Sequence, residues 1–394
     1  MDYVLMNKNT ALCRISIDME NYVIDDVFEV YNKDAFPVGV DFTDGKPQKK
    51  SLAKWWAGRA IPGSRIGAAS FERRYAVKLA SLPFKNYGLS LTDQYWLNPL
   101  GADAKEWKDI NFFHNEFLSA LGQAFFDDSY VSCDRDFFMS PDSTSDGMLP
   151  KKWVRDKSNG KLYLYKAGSG PFEQEPFNEL IASKIFALLG TVPFVKYQVV
   201  HDGGRYFSTC ENFINDNTEL VTAANMRRTQ SPLLIKADNE YAYLLRCCAE
   251  YGMDNVKEQL DVMLAVDYII CNTDRHYGNF GFIRNVETLQ FEGIAPVYDS
   301  GTSLWNKDKS ADIGQKFEAR AFTYNQDDTA KLITHFELID LARLNCIDEI
   351  IADILSKNEN LPDNRIAAIV KAVKEQIKKL QKLKDLSIKK PVKL

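Results

Sequence analysis

The 394-residue chain has no apolar stretch of membrane-spanning length. Its start, Met1-Asp2-Tyr3-Val4, lacks the cationic-then-apolar pattern of a signal peptide. The expectation is a cytoplasmic protein without a membrane span. Histidine is scarce: the four residues, at 114, 201, 276 and 335, lie too far apart to suggest a zinc centre. The seven cysteines (13, 133, 210, 247, 248, 271 and 346) are odd in number and lack ligand spacing, which suits reduced thiols, several of them buried. Internal repeats and low-complexity linkers are missing too. There is no excess of positive charge: 49 basic against 54 acidic residues give −5, so a chain-wide nucleic-acid surface is not expected. The basic residues crowd one end, where 371–394 carry nine Lys against Glu375 and Asp385, a local +7. That end reads as a solvated helix face and a loose tail, with a phosphate or lipid surface as the alternative.

What the chain does contain is ordinary for a globular protein: 45% hydrophobic, 26% charged and 12% aromatic residues. Its length suits two or three domains. Residues 1–130 mix short strand-like runs (Tyr22-Val23-Ile24 and Val27-Phe28-Glu29-Val30) with helical stretches. Leu52–Ala57 reads as one helix and Phe112–Phe126 as another, on the spacing of Phe113, Phe117, Leu121 and Phe125, with a turn at Ile61-Pro62-Gly63-Ser64. Small polar residues at 140–150 predict a loop. Two strands follow, Lys152–Arg155 and Lys161–Lys166, joined by a Ser158-Asn159-Gly160 turn. A helix from about Pro176 to Leu189 ends at Gly190, and strands at Val195–Val200 and Arg205–Thr209 flank His201-Asp202-Gly203-Gly204. From Tyr241 the pattern turns helical, with Asp254 placed to cap a helix through Tyr268, and a stripe from Ile366 to Leu380 closes the chain.

The most informative segment is Asn272-Thr273-Asp274-Arg275-His276-Tyr277-Gly278-Asn279-Phe280. Asp274 and Asn279 stand five apart, and Asp299-Ser300-Gly301 follows the apolar run Ile294–Tyr298, which reads as the strand carrying Asp299 to a cleft rim. A carboxylate, an amide oxygen and a second carboxylate in this order suit phosphoryl transfer. Asp274 would orient an acceptor hydroxyl and take its proton, while Asn279 and Asp299 would hold Mg²⁺, a hard cation that prefers oxygen, against nucleotide phosphates. A lone Asp after a helix is usually a turn cap; the register with Asn279 and Asp299 gives this one chemical meaning. His276 belongs to the same catalytic set, more as a support for the loop than as a base. Gly281 and Gly301 would let backbone pass close to nucleotide or metal.

Lys166 ends a strand on the face of Leu162 and Leu164, where an ammonium can meet ATP phosphates. It needs a carboxylate to hold it, and Glu179, one turn into the next helix, is preferred over Glu175, which is expected to cap that helix. The 140–150 loop, with Gly147 and the neighbouring Lys151 or Lys152, is the candidate phosphate cover. Its hydroxyls, Ser140, Ser143, Thr144 and Ser145, are candidates for self-phosphorylation.

Taken together, Gly147-Met148-Leu149-Pro150-Lys151, Tyr163-Leu164-Tyr165-Lys166, Glu175 to Ser183, Cys210-Glu211-Asn212-Phe213, Asn272 to Asn279 and Tyr298-Asp299-Ser300-Gly301 resemble the HipA-like serine/threonine kinases, the toxin-type kinases of bacteria. The resemblance spans about Asp142 to Phe322. It implies an α+β, two-lobed protein-kinase-like fold, with a small β-rich N-lobe (131–215), a helical C-lobe (216–394) and an appended N-terminal α/β subdomain (1–130). It further implies ATP and Mg²⁺ as cofactors, Asp274 as the catalytic Asp, Asn279 and Asp299 as metal ligands, Lys166 as an ATP ligand, and Glu211-Asn212-Phe213 as the hinge that meets adenine. The implied acceptor is a Ser or Thr of a protein. For part of the family a small helix-turn-helix antitoxin is a partner. Two departures from eukaryotic protein kinases stand out: Asp274-Arg275-His276 reverses His-Arg-Asp, and Asp-Ser-Gly replaces Asp-Phe-Gly. The reversed triplet also occurs in phosphoinositide-type lipid kinases, so a lipid or small-molecule kinase is one alternative. A non-catalytic nucleotide-binding half of a toxin–antitoxin complex is another.

Overall fold

The structure is a computed structural model and describes residues 1–132, 134, 136–228, 237–315 and 317–389. Cys133 and the last five residues of the Lys-rich end lie outside them. The chain opens with antiparallel strands β1 (Asp2–Asn7), β2 (Thr10–Asp18) and β3 (Val23–Val30), which join β4 (Tyr95–Pro99) in a sheet of order β3-β2-β1-β4. The two runs read within 22–30 are one strand. Helix α1 (Lys49–Ala57) packs Leu52, Trp55 and Trp56 onto this sheet, and α2 (Ala68–Tyr75) belongs to a second apolar cluster with Leu121, Phe125 and Phe137.

The helix expected over Phe112–Phe126 does not form. Only Ala120–Gln123 makes a helical turn. Arg155 takes the carbonyls of Phe112, Phe113 and Asn115, and Asn111 accepts from His114 N through its side chain. Those carbonyls are thereby turned away from the i+4 amides a helix requires. The aromatic spacing instead serves two cores: Phe112 and Phe113 join Trp96, Trp107 and Trp153, whereas Leu121 and Phe125 join Phe71.

The next sheet contains β5 (Lys151–Arg155), β6 (Leu162–Ala167), β7 (Gln198–Asp202) and β8 (Arg205–Glu211), ordered β5-β6-β8-β7 and antiparallel throughout. Against it lies α3 (Glu175–Leu189), ended by Gly190 at φ 69°, a left-handed cap that glycine takes without steric cost. Asp254 does not cap the later helix: α5 (Val256–Ile270), which follows α4 (Glu240–Ala249), begins after Asn255. A three-stranded sheet unforeseen in the sequence, β9 (Thr218–Thr222), β10 (Gly281–Asn285) and β11 (Phe291–Ile294), packs beside these helices. Helices α6 (Ile347–Leu355) and α7 (Asp363–Lys389) complete the chain. One large apolar cluster unites α3, α5, α6 and α7, with Ile181, Ile269, Ile351, Ile369 and Val373 at or near zero exposure. Around it the small β-rich and large helical halves form the two-lobed arrangement.

Candidate active site

Three segments converge where the halves meet. Strand β6 delivers Lys166, α3 delivers Glu179, and the turn after β11 delivers Asp299. Lys166 Nζ donates to Glu179 Oε1 at 2.8 Å and to Asp299 Oδ1 through a second, shorter contact. Lys166 is 8% exposed and Glu179 is fully buried. Burial alone would lower the lysine pKa, but Asp299 and Glu179 hold it above its ordinary value. At Asp299 the desolvated setting acts to raise the pKa, and Lys166, Lys151 and Arg275 overcome it, so the carboxyl lies well below the usual range. Both groups are therefore charged at neutral pH.

Helix α3 does more than supply Glu179. Its Oε2 accepts Ser300 N at 2.8 Å, Asn178 donates to the carbonyls of Gly301 (2.9 Å) and Ser303 (2.8 Å), and Gln174, just before the helix, donates to Leu304 O at 2.9 Å. Residues 300–304 are thus held along one polar edge of an otherwise apolar helix. Asp299 sits at φ 57°, a region that Asp tolerates better than most residues, and its N–H donates to Tyr197 Oη at 3.4 Å. The run Ile294–Tyr298 is only in part a strand. Beyond Ile294 its support is a parallel bridge between Val297 and Phe194. Glu175 does not cap α3; its carboxylate accepts from Ser169 N at 3.0 Å and from the Ser169 hydroxyl. Gly301 packs against Glu175 and Glu179, and Gly281 packs against the Val221 backbone. Both glycines therefore serve packing within the protein rather than approach to a ligand.

The nine-residue motif follows α5 and is built around Arg275, which is 2% exposed. Its Nε and Nη2 make a two-pronged pair with Asp267 at 2.8 and 3.0 Å. Nη1 donates to the carbonyls of Asn279 (2.7 Å) and Tyr298, and Nη2 to Ser300 Oγ at 2.8 Å. One guanidinium therefore joins the Asn279 loop to the Asp299 turn. Asn272 completes the web, donating to Asp267 Oδ1 at 2.9 Å and accepting from Asp274 N at 3.0 Å. Sequence reasoning gave Arg275 no role. The available signal was Asp267, an acid inside the apolar run Val262–Ile270 that could be buried only with a cation beside it.

Asp274 faces outward from this web and its Oδ1 accepts from Arg320 Nη1 at 2.8 Å; Arg320 is 60% exposed. Asn279 Nδ2 is committed to Asp274 O at 2.9 Å, so the amide oxygen is the atom it can offer a cation. Among the described residues no three His, Cys, Asp or Glu side chains cluster as a metal site. The oxygen pair Asn279 and Asp299 suits Mg²⁺ when phosphates and water complete its shell. His276 is exposed and folds over its own loop, accepting from Gly278 N at 3.0 Å.

The phosphate-cover segment is more structured than a loop. Pro141–Thr144 forms a 3₁₀ turn, and Ser140, Ser143, Thr144 and Ser145 are buried. Their hydroxyls are engaged: Ser143 with Phe138 O, Thr144 with Leu89 O, Ser145 with Asp142 O and Ser140 with the Asp142 carboxylate. Asp142 itself is fully buried and accepts from Trp153 N and Gly122 N, and burial lifts its pKa to about 7. Gly147 has φ 94°, and a Cβ there would stand 2.5 Å from Lys151 Nζ, so the Lys151 ammonium lies against the loop. Lys151 and Lys166 are direct cross-strand partners. Burial, then the positive charges of Arg65 and Lys166, pull the Lys151 pKa down to about 7. At the proposed hinge, Glu211 faces Lys161 (2.8 Å), Asn212 donates to Leu91 O (3.1 Å), and the Phe213 ring lies 5.8 Å from that of Tyr298.

Fold and cleft together define a two-lobed, kinase-like protein. The family model of the HipA-like C-terminal domain matches residues 143–380, more than half of the chain. The chain belongs to this family, that of the HipA-like serine/threonine kinases. The serine/threonine-protein kinase CtkA of Helicobacter pylori is 24% identical over an alignment of 226 residues that covers 49% of this chain and 66% of that protein, so the chain spans just under two thirds of this relative. The crystal structure of a proinflammatory CtkA from H. pylori aligns over 61% of this chain and 94% of that one at 19% identity, with a TM-score of 0.48. HipA of Shewanella oneidensis, solved with HipB and its operator DNA, aligns over 97% of this chain and 99% of that one at 12% identity and a TM-score of 0.56, a likeness of fold.

Proposed function

We propose that the protein transfers the γ-phosphoryl group of ATP, with Mg²⁺, to a Ser or Thr hydroxyl of a protein. The observation that carries this reading is the meeting of Lys166, Glu179 and Asp299, tied through Arg275 to the loop bearing Asp274 and Asn279. Lys166 and Lys151 would bind the phosphates, Asn279 and Asp299 would hold Mg²⁺, and 211–213 would seat the adenine. When bound, Mg²⁺ supplies neutralisation of charge on the transferring phosphoryl group. Asp274, freed from Arg320, would orient the acceptor hydroxyl and accept its proton late in the transfer. Self-phosphorylation within 140–150 is part of the proposal and requires that segment to open, because its four candidate hydroxyls are buried. A small helix-turn-helix partner is proposed on the family relation alone, with the cytoplasm as the place of action.

The test is incubation of purified protein with labelled ATP, Mg²⁺ and a cell extract, with phosphoserine and phosphothreonine mapped by mass spectrometry. Wild type should phosphorylate proteins and Asp274→Asn about a hundredfold less, while ATP still raises the melting temperature of the variant. Equal labelling by wild type and variant would overturn the role of Asp274. Labelling of phosphoinositide acceptors in place of proteins would move the reading to a lipid kinase, and nucleotide stabilisation without any transfer to a binding module.

A further inference from the structure

The segment that would cover the ATP phosphates is shaped from outside the lobe that carries it. Arg65 lies between the Ile61–Ser64 turn and α2, in the N-terminal subdomain, and is 3% exposed. Its guanidinium reaches the phosphate segment with four hydrogen bonds. Nη2 donates to Ser145 O (2.6 Å) and Asp146 O (2.8 Å), Nε to Gly147 O (3.0 Å), and Nη1 to Ser145 Oγ (2.9 Å). The next amide, Ile66 N, takes Met148 O at 2.9 Å. The Arg65 guanidinium is itself packed 5.5 Å from the centre of the Phe125 ring, which stacks on Phe71 of α2.

Four successive carbonyls, 145 to 148, thus turn toward Arg65 and Ile66. In a trans peptide the C=O and the following N–H point in opposite directions. The amides of Asp146, Gly147 and Met148 must therefore face away from Arg65. Successive amides on one side form a concavity that binds anions. Gly147 N now closes onto Asp146 Oδ1 at 2.6 Å, an internal carboxylate where a phosphate oxygen would go. Lys151 Nζ stands against Gly147, with Lys166 directly across the sheet.

We infer that Arg65 is a positioning residue for nucleotide phosphates: by holding the carbonyls of 145–147 from behind, it fixes the amides of the phosphate segment in an anion-binding arrangement. This rests on the kinase reading above and gives residues 1–130 a task within it. Arg65 touches no phosphate in this scheme. Its effect belongs to the β- and γ-phosphates and not to the adenosine end of ATP, which the hinge would hold.

That division supplies the test. Dissociation constants for MgATP and for adenosine are measured by calorimetry on the full chain, for wild type, Arg65→Ala and Arg65→Lys. Arg65→Ala should weaken MgATP about tenfold and leave adenosine within about twofold, and Arg65→Lys, which keeps a donor at the site, should recover part of the loss. Equal weakening of MgATP and adenosine would mark Arg65 as a general structural residue and overturn the inference, as would unchanged MgATP binding. If Arg65→Ala does not fold, the ATP-against-adenosine split in Arg65→Lys decides the matter in the same way. Failure of wild type to bind either ligand would instead remove the kinase reading on which the inference stands.

Discussion

Asp274 and Asp299 are both essential in the proposed chemistry, yet the protein treats them differently. Asp299 is held by a nearly buried lysine that is fixed in turn by a buried glutamate, and its peptide segment is pinned by three side chains from α3 and its approach. Asp274 meets one arginine that is 60% exposed. The nucleotide side of the cleft is thus built in advance, and the acceptor side is left adjustable. Such a division suits a reaction in which positioning and charge neutralisation of the phosphates supply most of the rate.

The contrast can be broken most sharply at Asp299. Asp299→Asn should lower phosphoryl transfer by about 10³-fold or more and abolish stabilisation by MgATP, measured as initial rate and melting shift. Stabilisation equal to wild type would show that the site is not preorganised around this carboxylate. Arg275→Met leaves Asp267 charged and buried, so an unfolding free-energy loss of about 3–5 kcal/mol is expected by denaturant titration. Asp274→Asn should cost about 10²-fold in turnover yet bind MgATP as wild type does, which separates the two aspartates by ligand rather than by rate.

Lys151 tests the nucleotide side by pH. Its pKa lies near 7, below the ordinary lysine value, so its charge is present below that pH and lost as pH rises through it. Phosphate favours the ammonium form, so MgATP affinity should fall severalfold between about pH 7 and 9 in wild type and stay flat in Lys151→Arg. A flat wild-type profile would place Lys151 away from the phosphates. The smallest effect belongs to Arg320→Ala. Its exposed pairing with Asp274 is weak, so turnover should change by less than about threefold.

Much of this arrangement was legible in the sequence because it is local. The Asp274–Asn279 spacing, the Ser158–Gly160 turn and the Gly190 cap depend on neighbours in the chain, and the structure has the turn and the cap where the pattern put them. Lys166 and Glu179, thirteen residues apart on a strand and the following helix, do meet. What could not be read was decided by distant partners. Arg155 unmakes the helix that Phe113, Phe117, Leu121 and Phe125 would otherwise suggest, from about forty residues away. The Asp267–Arg275 pair is close in sequence, but its reach to Tyr298 and Ser300 is not. The bonds from Arg65 to Ser145 and Gly147 span 80 and 82 residues and carry no periodic trace.

The polar edge of α3 constrains how such a protein can be switched off. Gln174, Asn178 and Glu179 read four different groups of residues 300–304 at once. Turning the helix by one residue, about 100°, would break all of them together and strand the buried Glu179 carboxylate, leaving Lys166 with Asp299 alone. The helix therefore has no inexpensive second resting place. Control by swinging it outward, as a lever, is a poor option for this architecture, and inactivation is better sought at the phosphate segment or at the open mouth around Asp274.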